Sequence, residues 1–590
     1  MRSEGDGGVS GMVKVPSECD VLVIGSGASG LSAAVTAAHH GLKVVVVEKE
    51  PVFGGTTAWA GGYMWIPKSP VAKRLGLDED PDLPRQYLKA ELGNHYDAEK
   101  VDAYLENGPR MVAFLELHSQ MRFADGRAMP DMQGHLPGAS SGGRAIRPES
   151  YDGRALGPLL QKLRPPKPEL TVFGMALAPG PDLRHFMNAS RSLRSAAYVG
   201  RRILRQGWDM LTHGRSTRLA NGNAMVARLV RSLVDLGTPV LLETSAERLL
   251  TENGRVVGAI LRHAGQSVTV RASHAVVLAG GGFMNDPNRR RDLFSHAPTG
   301  HEHWTAAPLS NTGDGLRLGE AAGGWVNGSL ASPAGMTPVS LVPRKDGSFA
   351  HFPHSIDRAK PGLIAVTRDG NRFVNEAGGY HHFVQAMIAA SGDTAEAWLI
   401  CDHRFQRRYG IGNARPAPFP VWPHIRSGYL KSDKSIAGLA RLCGISPEGL
   451  VATVDAYNRH ARNGEDPEFG RGTTPYNRFG GDPEMKPNPC VAPIERGPFY
   501  AVRVVPGSFS TFAGLETDAQ ARVLNREGQP IGGLFAVGND MASVLGGFYP
   551  AGGINLGPAM TFGFVAGMAI AREAGAASLA VAKHQEECRT

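Results

Sequence analysis

The stretch Cys19-Asp20-Val21-Leu22-Val23-Ile24-Gly25-Ser26-Gly27-Ala28-Ser29-Gly30 decides the fold. It reads as a buried strand, a tight turn and a helix start. Gly25 makes the turn, Gly27 lets a pyrophosphate approach the backbone, and Gly30 lets helix pack on strand. The helix start at Ala28 and Ser29 offers free N–H groups to a phosphate. The next strand, Val44-Val45-Val46-Val47, closes on Glu48 and Lys49. Its carboxylate suits a ribose hydroxyl. A lone GxGxxG is a weak signal, because glycine turns are common. Here strand, turn, helix and acid all fall where a dinucleotide needs them.

Working outward, Gly54-Gly55-Thr56-Thr57-Ala58-Trp59-Ala60-Gly61-Gly62 follows the acid. A run of such small residues can lie flat against a wide ring system, where a Cβ would collide. That points to FAD rather than NAD. A second buried strand, Ala275-Val276-Val277-Leu278-Ala279-Gly280-Gly281-Gly282-Phe283, also ends in glycines. A third such segment, Gly533-Leu534-Phe535-Ala536-Val537-Gly538-Asn539-Asp540, stands near the far end of the chain.

These segments resemble the fumarate reductase and 3-ketosteroid dehydrogenase group of FAD flavoproteins. Thr312-Gly313-Asp314-Gly315, Arg372-Phe373-Val374-Asn375-Glu376 and Gly557-Pro558-Ala559-Met560-Thr561-Phe562-Gly563 extend the resemblance from about Asp20 to Gly567. It implies an α/β chain with a Rossmann-like FAD-binding domain and a discontinuous α+β substrate domain. The expected division is 18–298 for the first part of the FAD domain, with a basic insertion at 150–218. Residues 299–494 form the substrate domain, and 495–590 rejoin the FAD domain. The resemblance places Gly25, Gly27, Ala28, Ser29, Gly30, Glu48 and Lys49 on the cofactor. It adds Gly55, Thr56, Thr57, Ala60, Gly61, Gly62, Ala279, Gly280, Gly281 and Asp314, and from the C-terminal part Gly538, Asn539, Asn555 and Leu556. The loop from Phe53 to Trp59 has threonines and no histidine. Members that link the flavin covalently use a histidine there, so non-covalent FAD is expected.

A chain of 590 residues exceeds one core. Its 75 glycines gather in the nucleotide segments and form no repeat. The five cysteines, Cys19, Cys401, Cys443, Cys490 and Cys588, include no CxxC pair. That speaks against a disulfide framework, a zinc site or a c-type haem, and implies a reducing, cytoplasmic compartment. The first 18 residues lack an apolar h-region, so no signal peptide is expected, and residues 1–17 read as a disordered tail. No run of 18 apolar residues occurs.

The net charge of +8 is concentrated. Arg184, Arg191, Arg194, Arg201, Arg202, Arg205, Arg215 and Arg218 share one window with a single acid, Asp209. Leu193, Ala197, Leu204, Trp208 and Leu211 recur there at near-helical spacing. Two readings stand: a solvated helix covering the flavin domain, or a peripheral contact with an anionic membrane surface. No nucleic-acid motif accompanies the charge.

Along the chain, 20–50 reads β-α-β and Asp97–Leu117 reads as a helix. Residues 122–181 read as an irregular loop able to form part of a substrate entrance. Asn221–Leu236 reads as a helix, and Glu243–Ala275 as strands around the turn Asn253-Gly254. A final helix is expected near Gly557–Ala574.

The C-terminal segment separates two chemistries. A dicarboxylate needs arginine clamps. Fumarate reductases carry His-Gly-x-Asn-Arg-Leu-Gly-Gly, whereas the stretch from Gly546 to Gly557 here has neither Arg nor His. Tyr549-Pro550-Ala551-Gly552-Gly553 instead resembles the Tyr-Pro-x-x-Gly of 3-ketosteroid Δ1-dehydrogenases. Removing a proton beside a carbonyl builds charge on its oxygen. A phenol and a backbone N–H, those of Tyr549 and Gly553, would hold it, each worth roughly 3–4 kcal/mol. Asn375-Glu376-Ala377-Gly378-Gly379-Tyr380 resembles the family's Asn-Glu-x-x-x-Tyr. The resemblance makes Tyr380 the base for the C2 proton, with hydride passing to the flavin. A phenol titrates near 10, so such a base needs positive or hydrogen-bond help. The family's third tyrosine, which supports the base, aligns with Ala128–His135, where Met132 stands instead. Tyr151, Tyr63 and His135 remain open as substitutes.

The implied activity is FAD-dependent Δ1-dehydrogenation of a 3-ketosteroid. The alternatives are a desaturase or ene-reductase of another cyclic ketone or enone, a Δ4-(5α) enzyme, and, last, a fumarate reductase-like enzyme. With no haem motif and no second dinucleotide fingerprint, the electron acceptor is expected to be external and quinone-like. No metal is expected.

Overall fold

A computed structural model describes residues 15–575 except 179, 190, 393 and 394. Continuous apolar runs make the first strands. β1 (Glu18–Ile24) and β2 (Val44–Val47) are buried over nearly their whole length, as central strands covered on both faces must be. Between them runs α1 (Ala28–His39). Val15 is 8% exposed and the Ser17 carbonyl accepts from Arg271 N–H at 2.8 Å. The expected tail therefore ends before Val15, since an apolar side chain there finds the sheet edge. Residues 1–14 lie outside the described chain.

Next come α2 (Ala98–His118), capped by the Asp97 carboxylate, then α3 (Leu193–His213) and α4 (Asn221–Asp235). β3 (Val240–Leu241), β4 (Thr244–Glu252), β5 (Arg255–His263) and β6 (Gln266–Leu278) follow. Asn253, at φ +50°, and Gly254 make the turn between β4 and β5. The segment 122–181 is more structured than a loop. It contributes short strands at Phe123–Asp125 and Ala145–Pro148, a 3₁₀ stretch at Gly153–Lys162 and a strand pair at Thr171–Val172 and Met175–Ala176, and a short helix, Pro181–Met187, follows it. Its glycines and prolines keep each piece brief without preventing pairing.

The second layer is a mixed sheet. β7 (Ala334–Pro343), β8 (Phe349–Pro353), β9 (Leu363–Val366), β10 (Ala397–Cys401) and β11 (Phe499–Thr511) pair in the order 8-7-11-10-9. Two short strands, Trp304–Thr305 and Lys431–Asp433, also pair with β11. α5 (Tyr380–Ala390) lies against this sheet. Its core runs from Met336 to Val504, separate from the large core around α1 and β1. The chain then returns through β12 (Arg522–Leu524), β13 (Pro530–Ala536) and α6 (Leu556–Glu573).

The first sheet runs 3-2-1-6-5-13-12, with β4 on β5 and further pairing between β6 and β13. Its register sets the site. Ile24 stands opposite both Val47 and Leu278, and Leu278 opposite Ala536. The C-terminal ends of β1, β6 and β13 are therefore level, and the three glycine turns that follow lie side by side. Ligands of open α/β sheets bind at that edge. Gly30 lets α1 close on the sheet: a Cβ there would meet the Gly25 carbonyl oxygen at 2.2 Å.

Candidate active site

A cavity of about 1170 Å³ opens at the level strand ends and runs between the two sheets. Gly25, Gly27, Ala28, Ser29, Glu48, Lys49, Gly55, Thr56, Thr57, Ala60, Gly61 and Gly62 line it. So do Ala279, Gly280, Gly281, Asp314, Asn539, Asn555 and Leu556. Gly30 and Gly538 lie behind this wall. A Cβ at Gly538, which has φ +65°, would strike the Ser29 hydroxyl at 2.5 Å, so its role is close packing.

The wall fits FAD. The N-cap Gly27 has no side chain to close the first turn of α1, and apart from the Ala28 N–H, which Thr57 takes, its leading amides are left for phosphate. Gly55 and Gly61 line the cavity with nothing within 4 Å of where a Cβ would stand. Glu48 is held in place by the Ser26 N–H at 3.2 Å and by the Ser26 hydroxyl. Thr57 Oγ1 accepts from Ala28 N–H at 3.0 Å. Lys49 pairs with Asp314, so those two residues brace each other. Asp540, absent from the expected set, accepts from the Gly280 and Gly282 amides and fixes the glycine turn after β6. Burial raises its carboxyl to about 6. Its position just after the Gly538 turn was the available signal.

On the far side, two phenols meet. The Tyr380 and Tyr549 rings lie edge to face, with centroids 4.9 Å apart. Tyr549 is 3% exposed. Its hydroxyl accepts from Asn555 Nδ2 at 3.0 Å, and the Ser510 hydroxyl donates to Asn555 Oδ1 at 2.8 Å. That relay orients the amide and leaves the phenol proton free to donate. Asn555 thus serves Tyr549 directly, whatever else it reaches. Gly553 lines the same cavity at φ +100°; a Cβ would meet the Met64 backbone at 2.8 Å. Its N–H donates to no group among the described residues. The stretch between them is clamped. The Tyr87 hydroxyl donates to the Pro550 carbonyl at 2.6 Å, Met132 N–H donates to the same oxygen at 2.8 Å, and Trp65 N–H donates to the Gly553 carbonyl at 3.3 Å. Burial raises both catalytic-candidate phenols, Tyr380 well above its ordinary value.

Met132 is buried in the cavity wall, its sulfur against Gly379, the residue before Tyr380. Tyr63 also lines the cavity, but His135 and Tyr151 do not. Tyr151 lies beneath Arg228, whose guanidinium carbon is 4.8 Å from the ring centroid. The sequence reading missed Tyr476 and Arg358, both in the wall. No motif marks either residue.

The family model described as FAD binding domain matches residues 20–556. The chain belongs to that family. It is an FAD-dependent oxidoreductase. It is 39% identical to the 4-oxocyclohex-2-ene-1-carboxylate 5-dehydrogenase of Sinomonas cyclohexanicum, over 95% of this chain and 94% of that one. It is 36% identical to a 3-oxosteroid 1-dehydrogenase of Mycolicibacterium smegmatis, over 95% and 98%. The 3-ketosteroid Δ1-dehydrogenase of Sterolibacterium denitrificans, solved with 1,4-androstadiene-3,17-dione, superposes with a TM-score of 0.87 at 35% identity, over 95% of this chain and 100% of that one.

The basic segment does not lay its apolar stripe on the body, as a helix covering the flavin domain would. α3 is inside out. Ser195, Arg202, Gln206 and Asp209 face the body, while Leu193, Leu204, Trp208 and Leu211 are 91%, 78%, 66% and 85% exposed. Polar partners explain the inversion. Arg202 pairs with Asp182 at 2.8 Å, and Asp209 accepts from Thr217 N–H at 2.9 Å. Arg215 donates to the Leu160 and Leu163 carbonyls. Among the described residues no helix is long and apolar enough to cross a membrane, and no group of His, Cys, Asp and Glu could hold a metal ion.

Proposed function

We propose that the protein dehydrogenates a 3-ketosteroid between C1 and C2. The meeting of Tyr380 and Tyr549 in one cavity with the free Gly553 amide carries this reading. A ring ketone whose oxygen sits between the Tyr549 hydroxyl and the Gly553 N–H has its α-carbon toward Tyr380. The Tyr380 oxygen takes the C2 proton. Charge flows to the ketone oxygen, where two preset donors stabilise it. FAD, when bound, supplies the acceptor for hydride leaving C1. Tyr549 is itself buried, which limits water at the developing charge.

The cavity supports a large substrate over a single ring. Leu170, Val172, Leu183, Phe186 and Phe419 add apolar surface to its wall. The 39% relative acts by name on a monocyclic oxo-acid, so that class is the rival. Anaerobic flavin bleaching with a 3-ketosteroid and with a 4-oxocyclohexene carboxylate decides between them. We expect bleaching at lower steroid concentration. Bleaching by the monocycle alone overturns the steroid and keeps the ketone chemistry; bleaching by neither overturns both.

We propose further that α3 rests on an anionic lipid surface. Its exposed apolar stripe includes Trp208 and is flanked by Arg194, Arg201 and Arg205, which suits an interfacial helix. The adjacent short helix Pro181–Met187 places Leu183 and Phe186 in the cavity wall, so steroid and a quinone-like acceptor would both arrive from the bilayer.

A further inference from the structure

Tyr380 needs help to act as a base, and the expected third phenol is a methionine. The cavity holds another phenol. Tyr476 sits in the short helix Pro475–Gly480, whose first turn is capped by the Thr474 hydroxyl. The next residue, Asn477, ties this helix to the loop before Tyr380. Its Nδ2 donates to the Ala377 carbonyl at 3.0 Å, and its Oδ1 accepts from Asn375 Nδ2 at 3.0 Å. Tyr476 faces the same cavity as Tyr380 and Tyr549 and lies within electrostatic reach of both. Its hydroxyl meets no hydrogen-bond partner among the described residues, so it is free for one inside the cavity.

Arg358 lies behind the pair and is 2% exposed. Its Nε donates to the His354 carbonyl at 2.7 Å. Its Nη1 donates to the Glu376 carbonyl at 2.8 Å, and its Nη2 to the Gly378 carbonyl at 3.3 Å. It therefore grips the backbone that presents Tyr380. No carboxylate among the described residues lies within 4.0 Å of it. The nearby Glu376 is taken by Arg372 at 2.8 Å and Arg471 at 3.1 Å, and Asp357 by His354 at 2.7 Å. A buried guanidinium bonded only to carbonyls leaves its charge to act across a low-dielectric cavity.

We propose that Tyr476 and Arg358 are the positioning residues that make Tyr380 a base, Tyr476 by donating a hydrogen bond to the Tyr380 oxygen and Arg358 by its positive field. The inference rests on Tyr380 being the base. The Tyr380 phenol first loses its proton to solvent. Tyr476 keeps its own proton and donates to the resulting oxygen anion. That anion then takes the substrate proton and becomes a phenol again, while the C–H electron pair moves toward the ketone oxygen.

Of the surrounding groups, Arg358 is the one whose charge favours the Tyr380 anion, and Tyr476 favours it only while it keeps its own proton. Burial raises Tyr380, and Tyr549 and Tyr476 add to the rise; Arg358 opposes it. Burial also raises Tyr476, to about 12, against the pull of the same Arg358. On α5, burial lowers His381 to about 3 and His382 to about 4, so both are neutral at pH 7. Glu91, facing His382 at 3.7 Å, is raised to about 7. Arg358 is a cation whose charge reaches both phenols.

The test uses holoenzyme with Tyr476→Phe, Arg358→Lys and Arg358→Gln. It reads kcat against pH, and the ultraviolet tyrosinate band against pH as a readout independent of turnover. We expect Tyr476→Phe to keep its FAD and to move the acid limb of kcat upward by about one pH unit, roughly tenfold at neutral pH, with recovery at higher pH. Arg358→Gln moves the limb the same way, and Arg358→Lys, which keeps the charge, restores it. The first tyrosinate to ionise in the wild type should ionise later in both limb-shifting variants. A Tyr476→Phe profile that superposes on wild type, or that drops equally at every pH, overturns the proposal. Tyr380→Phe separates the two levels. If it still exchanges the substrate α-proton with deuterated solvent, Tyr380 is not the base and the larger reading fails. If exchange stops while the Tyr476→Phe limb stays put, only this inference fails.

Discussion

Tyr549 has its acceptor side filled by Asn555, so its proton has one direction left, the cavity. Tyr549→Phe should keep fold and FAD, because only a hydroxyl is removed, and lose about a hundred- to a thousandfold in kcat. Asn555→Ala should lose activity in the same direction by freeing the phenol to turn. A wild-type rate in Tyr549→Phe with a ketosteroid would sink the catalytic assignment and leave only the flavoprotein. A second residue tests the electrostatics under α5. Glu91 has a buried Oε1 without a hydrogen-bond partner, and burial raises its carboxyl from 4.5 to about 7. The folded state then holds a proton that the unfolded chain releases at lower pH. Its contribution to stability is full below pH 4.5, falls as pH rises through 4.5–7, and is gone above 7, a span of about 3 kcal/mol. Glu91→Gln removes that fall. The melting temperature of the variant relative to wild type should rise between pH 5 and pH 8; a flat difference would mean Glu91 stays ionised in the folded protein.

Among elements, legibility tracked how local the cause is. The β1 turn, α4 and the β4–β5 hairpin follow from periodicity and glycine chemistry, which act within a few residues. The amphipathic period of α3 was equally plain, yet its direction was not. Which stripe faces in depends on Asp182 and Thr217, partners supplied by the fold. Tyr476 was invisible for the same reason: its neighbour Tyr380 lies 96 positions away and no motif joins them. The inverted helix alters the proper membrane test. Arg202 is buried against Asp182, and replacing it would damage the fold. Arg194, Arg201 and Arg205 face out, and each is worth about 1 kcal/mol near an anionic surface. Changing these three to Ser, and separately Trp208 and Leu211 to Ser, should each weaken binding to phosphatidylserine vesicles without changing turnover of a soluble ketone. Equal sedimentation of all variants with vesicles would remove the lipid surface as the partner of this face.

At the scale of the molecule, two chain segments far apart in sequence make one cofactor wall. β13 completes the sheet beside β6, and α6 packs lengthwise on α1. Small residues make that contact possible. A Cβ at Gly563 would lie 2.3 Å from the Ser29 carbonyl oxygen, and one at Gly567 would lie 2.7 Å from Thr36 Cβ. FAD bound across the junction should therefore bind the folded form alone and stabilise it, by about 2.7 kcal/mol at a hundredfold excess over Kd. With no histidine between Phe53 and Trp59, acid precipitation should release all of the yellow colour; colour retained by the denatured chain would show a covalent link. Gly563→Val separates the wall from the rest. Valine at this position forces α6 away from α1, and the Gly538 turn, packed on Ser29, moves with it. The second core, Met336 to Val504, touches neither helix face and should stay intact. The expected protein is colourless as purified, with a lowered first melting transition and an unchanged second one. A variant that retains FAD at wild-type affinity would mean that the α1–α6 contact does not hold the cofactor wall together.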